Sequence, residues 1–284
     1  MEKNYLIPVS IVLSTIIIVY GWTSANQKFV PDGKNNTSSP IAGQTIELSV
    51  VWGNLGAQMI SAGVIDRPQF EALYESRGGM SDEEKQLLED FQNGNLKANQ
   101  ENAGLLLNLF WALGLGNKNA ILEKGPMTDP KYGGADRFAS TGGWTLAKGN
   151  AMNHYSKHLF VVLTPQQQAL VEEVSKNIYR PCCNNSTYFP DCNHGMAMLG
   201  LLELLASQGA SEDQMYQTAL QMNSLWFPDQ YAIINKYLEL KGVKSSDISP
   251  KEILGINYSS ASGYAKVENY VPQEQNQGGG SCGV

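Results

Sequence analysis

Charge is scarce in this chain. Asp, Glu, Lys and Arg make up 17% of its 284 residues, against about a quarter in an ordinary soluble domain. The net charge of −7, with a pI near 5.1, comes without any basic patch interleaved with aromatics, which excludes nucleic acid as a partner. Standard motifs are missing as well. There is no Cys-x-x-Cys, so a thioredoxin-type motif is absent, and no Cys-x-x-Cys-His for covalent haem attachment. No His-Glu-x-x-His occurs, and the Gly133-Gly134-Ala135-Asp136 and Thr141-Gly142-Gly143-Trp144 stretches lack the strand-then-helix setting of a nucleotide fingerprint. No internal repeat is found. No window of alternation is long enough to demand a sheet.

Cysteine and histidine are also few, four and three, and what matters is where they fall. His154, His158, Cys182, Cys183, Cys192 and His194 lie in one short stretch, and only Cys282, in the terminal Gly-Gly-Gly-Ser-Cys-Gly-Val, stands apart. Thiolate and imidazole are the side chains that hold transition metals, so all six are candidate ligands for zinc or copper. Cys192-Asn193-His194 sits where a loop turns into a helix. Backbone N–H groups there favour a thiolate and disfavour imidazolium, which improves both as ligands. Asp191 is placed to cap that helix or to support a histidine. His154 and His158, four apart on an expected helix 145–160, would project from one face together with Ala147 and Ala151. Met152, Met196 and Met198 would suit copper, but Met196 and Met198, two apart on a helix, point in different directions, and core packing of one or both is the stronger reading.

Localisation changes what the cysteines mean. Residues 5–22 are almost continuously apolar, no charge occurs between Asn4 and Gln27, and Lys3 precedes the run. The length suits a single membrane anchor with the remainder outside the cytoplasm. Cleavage after Ala25 would instead release a secreted chain. In either case thiols meet an oxidising compartment. Two alternatives to a metal site follow. One is a thiol–disulfide redox protein, with Cys192 as nucleophile, Cys182 or Cys183 resolving, and Cys282 as shuttle. The other is a structural or interaction domain stapled by two disulfides, one of Cys182 and Cys183 pairing with Cys192 and the other with Cys282.

The expected organisation is an anchor or signal segment over 1–25, a polar linker over 26–44, a helical domain over 45–262 and a Gly-rich tail over 263–284 carrying Cys282. The domain reads as all-α, a multi-helix bundle. Expected helices cover 45–63 and 82–92, a central buried helix lies within 95–116, and a long Pro- and Gly-rich loop spans 125–143. Capping boxes at Ser81/Glu84, Thr164/Gln167 and Ser211/Gln214 open three helices, and a further helix runs from His194 to Gln208, stopped by Gly209.

Overall fold

A computed structural model describes residues 44–89 and 91–272, all within one unit, 36–284. The apolar segment over 5–22, the linker and Cys282 lie outside the described residues. Among the described residues helix dominates, at 59% against 7% strand. In chain order the elements are β1 (Ile46–Gly53), α1 (Leu55–Ala62), α2 (Arg67–Glu75), α3 (Asp82–Glu89), β2 (Gln92–Ala98), α4 (Ala103–Gly116), α5 (Ala120–Lys124), α6 (Ala139–Gly142), α7 (Pro165–Lys176), α8 (Asn193–Ser207), α9 (Glu212–Trp226), α10 (Pro228–Leu240), α11 (Pro250–Ile253), α12 (Ile256–Ser259) and α13 (Ala261–Tyr270). Among the described residues no helix is long and apolar enough to cross a membrane.

The core is built on α4 and α8. Both are apolar around most of their circumference, as helices enclosed by other elements must be, and every α8 residue from Gly195 to Ala206 is buried. Two glycines bring the backbones together. A Cβ at Gly114 would lie 2.1 Å from the Met196 carbonyl oxygen, and one at Gly200 would lie 2.4 Å from that of Phe110. No side chain fits there. Met196 and Met198 are both buried in this core, as packing residues. The three expected capping boxes form: Thr164 with Gln167, Ser211 with Gln214, and Ser81 with Glu84.

Three departures from the expected all-α bundle stand out. Residues 46–53 are a strand, paired antiparallel with β2, and only 55–62 of the expected first helix is helical. Ile46, Leu48, Val50 and Trp52 occupy one face of β1, with the last three buried, so period two governs where a 3.6 period was expected. The polar beginning of 95–116 is likewise strand, with helix only from Ala103. Third, 145–160 is no helix. It folds as a loop with one 3-10 turn, Ala151–Asn153, because Gly149 and Ser156 adopt positive φ, 80° and 54°. The 125–143 loop is real but tightly wound, carrying three 3-10 turns and α6. At the other end α13 continues the helical structure to Tyr270.

One charged residue lies inside this core. Glu203 of α8 is fully buried and accepts hydrogen bonds from the side-chain amides of Asn117 and Asn119. Burial pushes its carboxyl well above the usual carboxylate value, and the two amide bonds offset only part of that. A raised folded-state value means that this group's stabilisation is complete below about pH 4.3, the unfolded value. It is lost as pH rises through the folded value. Between those two values we expect unfolding free energy to fall by up to about 1.4 kcal/mol per pH unit from this group, and that component of the slope to vanish in Glu203→Gln. Denaturant unfolding over a pH series measures it, and equal slopes in the two chains would contradict the assignment.

Candidate metal centre

The site forms where the 177–192 connection meets the first turn of α8. The Pro165–Lys176 helix ends, and the chain then makes a loop tied down at several points. Tyr179 N–H donates to the Leu254 carbonyl, Thr187 N–H to that of Ile178, and Tyr188 N–H to that of Ser175. From the other side, Ala261 N–H donates to the Cys183 carbonyl and Ser262 N–H to Asn184 Oδ1. These bonds fold the loop back so that Cys182 and Cys183 face Cys192, the N-cap residue of α8.

Cys182, Cys183 and Cys192 are free thiols, with Cys182 exposed. The Sγ atoms of Cys182 and Cys192 are 3.8 Å apart. Ligand atoms of Cys182, Cys192 and His194 lie within 4.8 Å of one another, as do those of Cys183, Asp191 and Cys192. The two sets share Cys192. This Cys/His cluster is geometrically able to hold a metal ion. The His194 ring is steadied by Phe227 and Trp226, at centroid distances of 4.5 and 5.9 Å.

A residue outside the six candidates organises the cluster. Arg180 is 1% exposed. Its Nε–H donates to Cys192 Sγ at 3.0 Å, Nη1 to the Asn185 carbonyl at 3.0 Å, and Nη2 to Asp191 Oδ1 at 2.7 Å and to the Phe189 carbonyl at 3.4 Å. The guanidinium lies against the backbone of Gly195, where a Cβ would come 2.5 Å from Nη2. Asp191 also accepts from Asn185 Nδ2 at 2.8 Å. It therefore supports the cluster through Arg180, and the expected capping role is not the one it plays.

These contacts divide the thiols into unequal partners. Hydrogen bonds from Cys182 and Cys183 hold the Cys192 thiol below the usual cysteine value, outweighing burial, with Arg180 and His194 pulling the same way. Cys182 is pushed up, because its proton is held in bonds to Cys183 and Cys192. For Cys183 the bond with Cys182 pulls downward, but the bond to Cys192 and burial prevail and raise it. The first proton to leave the cluster is therefore that of Cys192. A thiolate at a helix N-terminus beside a guanidinium is the expected result of those fields.

His154 and His158 meet each other, not the cysteines. His154 Nδ1 and His158 Nε2 are 3.2 Å apart, and neither ring joins the cysteine sets. They come together across a turn. Burial, with His154 and Lys157 nearby, holds His158 below the usual imidazole value.

Arg180 could have been noticed in the sequence as a charge immediately preceding Pro181-Cys182-Cys183 in a weakly charged chain. Gly195 gave no such signal. Searched against protein-family models, curated proteins and solved structures, the chain matches none.

Proposed function

We propose that this is an exported, membrane-anchored helical protein that binds one transition-metal ion, zinc or copper, through Cys182, Cys183, Cys192 and His194. The observation that carries the reading is the convergence of three sulfurs and an imidazole on one helix N-terminus, organised by a buried arginine. Sulfur and imidazole donors suit zinc and cuprous ions and disfavour magnesium or calcium. Three thiolates around a divalent ion leave an excess negative charge, and the Arg180 N–H bond to Cys192 offsets it from the outer shell. The Asp191 carboxylate balances Arg180 in turn. Export and anchoring rest on the apolar segment over 5–22.

A second reading, thiol–disulfide exchange, is favoured by the 3.8 Å sulfur separation. In it the Cys192 thiolate would attack a partner's disulfide, and Cys182 would then displace the partner's second sulfur as a thiol. The partner would gain two thiols and this chain would gain a Cys182–Cys192 disulfide. One experiment separates the two. The chain is purified without chelator, bound metal is measured by elemental mass spectrometry, and free thiols are titrated on the same sample. About one equivalent of zinc or copper with unoxidised cysteines supports metal binding. No metal, with one readily reducible disulfide, supports exchange and overturns the first reading.

A further inference from the structure

The His154/His158 pair sits on a turn that costs the chain something to make. Ser156, between them, is the only non-glycine residue of positive φ among the described residues, at 54°. For an L residue that conformation is unfavourable and persists only where its surroundings impose it. Here they do. Ser156 N–H donates to the Leu115 carbonyl, His158 N–H to that of Gly116, and Lys118 N–H to that of His158. Asn119 N–H donates to Ser156 Oγ at 3.1 Å, and Asn117 Oδ1 accepts from Val161 N–H at 2.9 Å. Asn117 and Asn119 are themselves held by buried Glu203. The core thus fixes both ends of a strained turn, and what the turn accomplishes is to face one ring nitrogen with another.

The distance is informative. Imidazole nitrogens bind zinc-class ions at about 2.0–2.1 Å, so two of them at a tetrahedral angle on one ion are about 3.3 Å apart. The observed separation is 3.2 Å. The second nitrogen of His154 is committed, since Nε2 lies 3.1 Å from the Lys148 carbonyl, its hydrogen-bond acceptor. That fixes the proton on Nε2 and leaves the lone pair on Nδ1, directed at His158. A ligating histidine is typically oriented in this way by a carbonyl behind it. His154 is also held from the side by Gly63, whose place a Cβ would fill 3.3 Å from His154 Cε1.

We propose that His154 Nδ1 and His158 Nε2 form a second metal site, separate from the cysteine cluster, that takes a borderline divalent ion such as Zn2+ or Cu2+. Two protein donors leave the remaining positions to water or to small anionic ligands, so this is an open site, in contrast to the sulfur-rich one. Without an ion the same geometry makes a His–His hydrogen bond, with Nε2–H of His158 donating to Nδ1 of His154. The experiment has to distinguish these two states.

The probe is Co2+, added anaerobically to the full reduced chain. Cobalt on thiolates gives a sulfur-to-metal charge-transfer band, and cobalt on imidazoles does not. The expected result is a second equivalent bound without added charge transfer. His154→Gln and His158→Gln should each lose that equivalent and keep the charge-transfer band, while Cys192→Ser keeps the equivalent and loses the band. A chain that takes up cobalt only with charge transfer overturns this proposal and spares the cysteine site. Uptake without charge transfer that survives both histidine substitutions overturns it too. Cobalt bound with no charge-transfer band, and lost in the histidine variants, upholds this site and sinks the cysteine one. Should either variant fail to fold, imidazole proton NMR of the wild-type chain decides. With only three histidines, Zn2+ must shift the His154 and His158 signals together, and unmoved signals contradict the site.

Discussion

Cys192→Ser is expected to release the metal. Cys192 belongs to both ligand sets, its sulfur accepts from Arg180, and its position as N-cap of α8 fixes it against the core. Structural zinc sites with four ligands bind with about 10–16 kcal/mol of apparent free energy. One ligand in four therefore stands for about 3 kcal/mol, which is about two orders of magnitude in affinity. Serine keeps the shape of the side chain but its hydroxyl does not ionise near neutral pH, so the loss is chemical and not steric. The effect should exceed that of Cys183→Ser, whose sulfur belongs to only one of the two sets. Competition with a chromophoric chelator measures both. Equal affinities for wild type and Cys192→Ser would show that the cluster is not the site.

Arg180→Met should be the more damaging change to the fold. The substitution keeps much of the apolar volume and removes four hydrogen bonds. It leaves two carbonyls and the Asp191 carboxylate without their shared donor, around a side chain that is 1% exposed. Removing one partner of a buried ion pair costs about 3–5 kcal/mol, a large share of a domain's whole stability. Lysine does not repair it, because a single ammonium cannot reproduce a planar fork that reaches four acceptors. Arg180→Met together with Asp191→Asn should recover part of the loss by removing the stranded charge. Thermal and denaturant unfolding of the single and double variants tests this. A double variant no more stable than Arg180→Met would mean that the carboxylate is solvated and that the pair contributes little.

Much of the site was legible because it depends on local rules. A helix start at Cys192-Asn193-His194 follows from the long apolar run after it, and a lowered Cys192 thiol is expected there, although hydrogen bonds from Cys182 and Cys183, set by the loop's tertiary fold, are its first cause. The capping boxes at Thr164 and Ser211 likewise act over three residues and need no tertiary knowledge. What escaped was set at a distance. The spacing of Ala147, Ala151, His154 and His158 imitates a helix face, but backbone bonds from 115–119 impose a turn on the segment. Residues 46–53 carry a period of two, and Val51, Leu55 and Met59 extend it into an apparent helical period. Pairing with β2 decides between them. Nothing local reveals that the Arg180 charge will be buried, or that Gly195, fifteen residues on, leaves room for it.

X-ray absorption at the metal edge of the as-purified full chain addresses the central claim most directly, since it counts sulfur against nitrogen and oxygen around the ion. The account predicts a sulfur-dominated shell, with Cys182, Cys183 and Cys192 contributing and a single imidazole from His194. For zinc, the metal–sulfur distance should be about 2.3 Å. A shell of nitrogen and oxygen alone would place the ion elsewhere, and the cysteine cluster would then not be the metal centre.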